Sequence, residues 1–237
     1  MTYDRAVAVE LFSLRTLADR ERSERWYDDI FRLSQSRKGV TVVEVGVALG
    51  GSLAIAGRAI ADGSQTQDDS ELIGFDKFLA PYEYSVKDTE GSDFDMRLSS
   101  EINLMIRRGV PMESSSEWCS MANETIRSSG FRGQLQLVQG DASSTIESFV
   151  QTRGSSLEIS ALRVSCNWYE PVLAAMRHLV PKVALGGTIF LDGFYFWTGF
   201  RQAVSESLGT HVEAQGLRLG DCLILSVHDE SFGGTAK

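Results

Sequence analysis

Between residues 5 and 35, apolar side chains recur at spacings of three and four: Val9, Leu11, Phe12, Leu14 and Leu17, then Trp26, Ile30, Phe31 and Leu33. That period belongs to one face of a helix, with charges such as Asp19, Arg20, Glu21 and Arg22 lying between. The segment predicts a helical N-terminal extension over residues 1–38, packed on a later core. A turn follows from Ser36 to Gly39. Then comes Val40-Thr-Val-Val-Glu-Val-Gly-Val47, an almost continuous β-branched run. Such a run suits a strand buried on both faces, as in a parallel sheet covered by helices. It ends in Gly50-Gly51-Ser52 and a small-residue helix from Leu53 to Ala61. Strand, glycine-rich turn and helix form the opening of a nucleotide-binding βαβ unit.

Further strands are predicted at Glu71-Leu-Ile-Gly-Phe-Asp76, Leu135-Gln-Leu-Val-Gln139, Ile159-Ser-Ala-Leu-Arg-Val164 and Thr188-Ile-Phe-Leu-Asp192. Helices are predicted from near Ser143 or Ser144, over 169–182 and over 199–208, the second stopped by Gly186-Gly187. Two last strands near 211–215 and 221–227 read as a hairpin. Strands alternating with helices predict a Rossmann-like α/β fold, with a mostly parallel sheet, helices on both faces and an antiparallel C-terminal hairpin strand. Residues 79–130 interrupt the alternation. They are rich in Ser, Glu, Asp and Arg, and read as a partly helical insertion lying over the strand ends as a lid. The whole, residues 1–237, reads as a single domain.

Composition narrows the function. The net charge is −9 and no Lys/Arg cluster appears, which argues against a nucleic-acid partner. Cys119, Cys166 and Cys222 are odd in number and far apart, so neither a zinc site nor a disulfide framework is expected. With no signal-peptide pattern and no apolar run of membrane-spanning length, the expectation is a soluble cytoplasmic protein without a membrane partner.

Three strand ends carry candidate chemistry. At Glu44-Val-Gly-Val-Ala-Leu-Gly-Gly-Ser52, Gly46 would let the backbone approach a ligand, and the helix after it would point free N–H groups toward that ligand. The pattern is neither GxGxxG nor a phosphate-binding GK[ST] loop. A carboxylate at Glu44 would repel a pyrophosphate and attract an ammonium or sulfonium, which favours S-adenosylmethionine over a dinucleotide. Asp76, ending the second strand, could accept hydrogen bonds from ribose hydroxyls. Asp141-Ala142, ending the third, could hold an adenine amino group, or Asp141 could simply cap the next helix. The expected cofactor-binding set is Glu44, Gly46, Ser52, Asp76, Asp141 and Ala142.

The stretch from Leu162 to Val204 reads Leu-Arg-Val-Ser-Cys-Asn-Trp-Tyr-Glu-Pro, then His-Leu-Val-Pro-Lys-Val-Ala-Leu-Gly-Gly-Thr-Ile-Phe-Leu-Asp-Gly-Phe, then Gly-Phe-Arg-Gln-Ala-Val. With the run near Glu44, it resembles the macrocin O-methyltransferase family, class I methyltransferases that methylate sugars on antibiotics. The resemblance covers about forty residues. It implies the class I fold, S-adenosylmethionine as cofactor, a small-molecule substrate and a homodimer. It also exposes departures. In the family the first Asp of a DxD pattern and both residues of a DD pair bind a divalent metal, and the second Asp of DxD is the general base. At those positions this chain has Ser165, Asn167 and Asp192-Gly193, so three of the four carboxylates are absent. Hard cations need oxygen ligands, preferably charged, so no metal is expected here. An Asn cannot act as a base at neutral pH.

Asp192 remains as the residue to accept a proton or to hold the nucleophile in line, with Asn167 and Tyr169 beside it as the expected catalytic set. Tyr195, Trp197 and His228 are further polar or aromatic candidates, and Cys166 a remote nucleophile candidate. An amine nucleophile would need less help than a sugar hydroxyl, which hints at N-methylation. Two functions follow: methyl transfer to a hydroxyl or amine of a small natural product, or a methyltransferase-like protein turned to another reaction or to binding.

Overall fold

The computed structural model of the protein describes residues 5–13, 15–64, 66–78, 86–89 and 115–228. Seven strands form one sheet: β1 (Thr41–Val45), β2 (Glu71–Asp76), β3 (Gln134–Gln139), β4 (Ile159–Val164), β5 (Val183–Asp192), β6 (Leu217–Leu219) and β7 (Cys222–Ser226). Their order is β3-β2-β1-β4-β5-β7-β6. The first five are parallel, and β7 runs antiparallel to both β5 and β6. Among the described residues seven α-helices cover the sheet: α1 (Arg5–Ser13), α2 (Arg20–Ser36), α3 (Gly51–Gly63), α4 (Ser115–Ser128), α5 (Ala142–Arg153), α6 (Tyr169–His178) and α7 (Thr198–Leu208).

The strands separate their side chains by parity. Val43, Val45, Ile73, Phe75, Leu162, Val164, Ile189 and Leu191 pack under α5, α6 and α7. Val42, Leu72, Ala161 and Phe190 pack under α1 to α4. Strands β1, β2 and β4 are buried on both faces, which is why they read as near-continuous apolar runs, whereas the edge strand β3 alternates. Each such side chain contributes roughly 1.5–3 kcal/mol. Strand order reverses between β1 and β4, so the connections leave in opposite directions and open a crevice at the carboxyl ends there.

Several boundaries differ from those predicted. The helix expected over 5–35 is two. Residues 15–18 cross the start of α3, where the Gly51 N–H donates to the Arg15 carbonyl at 3.1 Å. A Cβ on Gly51 would lie 2.4 Å from the Arg15 carbonyl carbon, so only glycine admits this crossing. Asp19 then caps α2, accepting from the Arg22 N–H. Helix α6 stops at His178 and continues as a 3-10 turn, Val180–Lys182, because Pro181 lacks the N–H an α-helix needs. Strand β5 starts at Val183, with Gly186 and Gly187 inside it, and its pairing with β4 shifts register between Ile159 and Ala161. The strand expected at 211–215 is a 3-10 turn, Val212–Gln215, and the hairpin strand is Leu217–Leu219.

Of the expected lid, segments 79–85 and 90–114 lie outside the described residues. The described parts are α4 and a 3-10 turn, Val86–Asp88, whose Asp88 carboxylate accepts the Tyr169 N–H at 2.7 Å.

Candidate functional site

A cavity of about 630 Å³ opens at the carboxyl ends of the parallel strands. This is the size range of small-molecule sites. Its two ends are built differently.

At one end the chain leaves β1 through Gly46 at φ +94. A Cβ there would lie 2.7 Å from the Ser165 carbonyl carbon. The next turn is held by Asp76. One of its oxygens accepts the Ala48 N–H at 2.8 Å and the other the Phe78 N–H at 2.7 Å. Ala48 and Phe78 both have left-handed backbones, φ +47 and +50, a costly conformation for non-glycine residues that the Asp76 carboxylate stabilises. Burial pushes the Asp76 carboxyl up, and those backbone N–H groups pull it back. A carboxylate offers about four lone-pair sites, so Asp76 keeps acceptor capacity toward the cavity.

Asp141 caps α5, accepting the Ser143 N–H at 2.9 Å, and pairs with Lys77 at 2.7 Å. Burial alone would raise it, but the hydrogen bonds from Lys77 and Ser143 outweigh that and hold it below the usual Asp value. Ala142 and Ser52 line the same cavity. The Ser52 hydroxyl pairs with that of Thr16 at 2.8 Å, tying α3 to the N-terminal crossing.

Glu44 is placed differently from expectation. It is 1% exposed, is not among the lining residues, and faces Arg163 at 3.4 Å under the α2/α3 layer. Its parity in β1 decides this: Glu44 shares a face with Val42, opposite Arg163 in the β1–β4 register. Burial pushes its carboxyl up to about 8, against the pull of Arg163 and Ser52. It therefore braces the site from beneath and does not meet a ligand's charge directly.

At the other end lies Asp192, the last residue of β5. One of its oxygens accepts from Arg22 and the other from Arg163. Arg22 comes from α2, 170 residues away in sequence. The Arg163 guanidinium also lies over the Trp26 ring at 5.7 Å, and Trp26 donates its indole N–H to the Ser52 carbonyl. A buried chain Glu44–Arg163–Asp192–Arg22 thus crosses β1, β4, β5 and α2. Each Asp192 oxygen faces a fixed cation, which makes it a poor proton acceptor; of its two expected roles, accepting a proton or holding the nucleophile in line, this geometry suits the second. Asn167 lines the cavity with a left-handed backbone, φ +43, and its side-chain oxygen lies near Gly193.

Tyr169 leaves the catalytic set. Its hydroxyl donates to Glu206, Lys87 sits over its ring, and it is not among the lining residues. Of the other candidates, Trp197 and Cys166 line the cavity, whereas Tyr195 and His228 do not. Burial pushes the Cys166 thiol far up, so it is no thiolate. Sequence reasoning missed Arg22 and gave Arg163 no role. Arg163 carried a signal, a charge inside an otherwise apolar strand; Arg22 carried none beyond its helix.

The donor set does not fit a divalent metal. The carboxylate of Asp192 sits between two guanidiniums, whose positive charge opposes a divalent cation, and its neighbours offer only a hydroxyl at Ser165 and an amide at Asn167. Among the described residues no group of three or more His, Cys, Asp or Glu could hold a metal ion. Among them, too, no helix is long and apolar enough to cross a membrane.

No protein-family model matches the chain, and no curated protein matches its sequence. Solved structures do match its shape. The calicheamicin methyltransferase CalS11 is 17% identical, with 96% of this chain and 95% of that one covered and a TM-score of 0.66. The O-methyltransferase NovP is 18% identical, over 91% and 83%, with a TM-score of 0.67. The Podospora anserina methyltransferase PaMTH1, solved with S-adenosylhomocysteine, is 14% identical over 96% and 89%, with a TM-score of 0.51. With the strand order and the antiparallel β7, these likenesses establish that the chain has the class I methyltransferase fold.

Proposed function

We propose that the protein is an S-adenosylmethionine-dependent methyltransferase acting on a hydroxyl or amine of a small natural product, without a divalent metal. The observation that carries this is one continuous cavity. It joins the Gly46 cradle and the strand-end acids Asp76 and Asp141 to an aromatic, charged second end at Asp192.

The cofactor would supply an electrophilic methyl group on a sulfonium. The residues present fit it: Gly46 admits close backbone approach, Asp76 has lone pairs left for ribose hydroxyls, and Asp141-Ala142 border the adenine position. Methyl transfer is an in-line displacement, so holding the acceptor in line supplies much of the rate. That task falls to Arg22, Asp192, Asn167 and the aromatic wall. The names of the solved neighbours, a calicheamicin methyltransferase and an O-methyltransferase, support the same class of reaction.

The test is to supply S-adenosylmethionine with a panel of small hydroxyl and amine acceptors, with and without EDTA, and to follow S-adenosylhomocysteine. Turnover unchanged by EDTA is expected. Cofactor binding with no turnover on any acceptor would move the protein to a non-methylating role.

A further inference from the structure

The acceptor end has hydrogen-bond donors with nothing to meet. Arg163 is 2% exposed, and its Nη1 is buried without a partner. Arg22 spends Nε on Asp19 at 3.0 Å and Nη1 on Asp192, which leaves Nη2 without a hydrogen bond among the described residues. Both side chains line the cavity. A buried guanidinium N–H left unpaired is expensive, so the site is prepared for an acceptor atom that bears charge. The same end is walled by Trp168, Phe196 and Trp197. Trp168 and Trp197 are tilted at 5.2 Å, and Phe196 stands edge-on to Trp197 at 5.0 Å.

We propose that Arg22 and Arg163, braced by Asp192, seat the acceptor oxygen as an anion, and that the acceptor is an aromatic ring bearing an acidic hydroxyl, a phenol or enol. This rests on the methyltransferase reading and names its substrate class. Flat aromatic walls favour a planar ring. Asp19 and Asp192 already balance the two cationic charges, so the selection comes from the unspent guanidinium N–H groups, which meet an oxygen lone pair and have nothing to offer an ammonium; that turns the expectation of N-methylation toward oxygen. Glu44 holds its proton to about pH 8, so it does not cancel the Arg163 charge at neutral pH. Of the other carboxylates on this wall, Asp88 accepts the Tyr169 N–H, Glu170 is exposed and Asp221 half-buried.

The step balances without a metal or a strong base. The hydroxyl proton passes to water as the phenolate binds. An oxygen lone pair then forms the O–CH3 bond while the S–CH3 bond breaks. The sulfonium becomes a neutral thioether and the phenolate a neutral ether, so opposite charges vanish together.

The experiment is a spectrophotometric pH titration of para-nitrophenol with the full chain, whose coloured anion reports ionisation directly. Binding is expected to lower the pH at which the probe ionises by about one unit or more, the scale of a neighbouring opposite charge. Arg22→Gln is expected to remove at least half of that shift, and Arg22→Lys to keep part of it. Thermal melting and S-adenosylhomocysteine affinity, measured on each variant, establish that the fold and cofactor end persist. A bound probe that ionises at the same pH as the free probe, or at a higher one, would overturn the proposal. So would a shift that survives Arg22→Gln, or no probe binding by a protein that binds S-adenosylhomocysteine. Failure of S-adenosylhomocysteine to bind, with the probe shift intact, would instead sink the methyltransferase reading.

Discussion

At the cofactor end of the cavity, the wall comes from strand ends and the residues just after them: Gly46 after β1, Asp76 ending β2, Asp141 opening α5. The two acids work mainly through backbone N–H groups at the same row of strand ends, Asp76 on Ala48 and Phe78 and Asp141 on Ser143. At the acceptor end, Arg22 of α2 meets Asp192 of β5 across 170 residues, and Arg163 ties both to Glu44 through the sheet. One end is backbone geometry at the strand ends and the other is a network of side-chain charge. The first suits a ligand shared by many proteins of one fold. The second can change with a few side chains and so, under the proposed function, would set which acceptor is methylated.

Breaking the network should cost most. Asp192→Ala leaves two guanidiniums in the protein interior without their shared carboxylate, and a loss of about 3–5 kcal/mol in stability is expected from denaturant unfolding. If that variant were as stable as the parent, the charges would not form a coupled network. Next comes the glycine. Gly46→Ala places a Cβ against the Ser165 backbone at a positive φ, and S-adenosylhomocysteine affinity should fall on the order of 100-fold. The para-nitrophenol shift should persist, which would sharpen the separation of the two ends.

Glu44 gives a pH signature. Its folded carboxyl, at about 8, lies above its ordinary value of 4.5, so between those limits the folded protein holds a proton that the unfolded chain has released. That contribution is complete below the unfolded value and is lost as pH rises toward 8. Unfolding free energies of the parent and Glu44→Gln, compared from pH 5 to 8, should therefore diverge in the variant's favour by up to about 1.4 kcal/mol per pH unit. A constant difference would mean that Glu44 stays ionised. The smallest effect is at Asp76→Asn. The amide keeps one acceptor oxygen for two backbone N–H groups, and a loss of cofactor affinity of about tenfold, 1.4 kcal/mol, should appear in titration.

The same division explains what could be read from the chain. Strands β1, β2 and β4 declared themselves because burial on both faces leaves mostly apolar residues, and Asp76 and Asp141 were visible because strand ends are local features. Parity could have placed Glu44 better. Glu44, Arg163 and Asp192 all sit on the face of Val42, Ala161 and Phe190, and charges at such positions must pair under a helix layer. The break after Ser13 was hidden because the crossing residues Thr16 and Ala18 are themselves buried, so the apolar period does not pause there. Only the Asp19 cap marked the restart. Arg22 had no local signal, since its partner lies at the far end of the chain.

The most direct test is calorimetric titration of the protein with S-adenosylmethionine and S-adenosylhomocysteine, in magnesium and in EDTA. Both ligands should bind, with affinities unchanged by EDTA. Binding that requires magnesium would contradict the metal-free site. Failure of both ligands to bind would contradict the methyltransferase assignment itself.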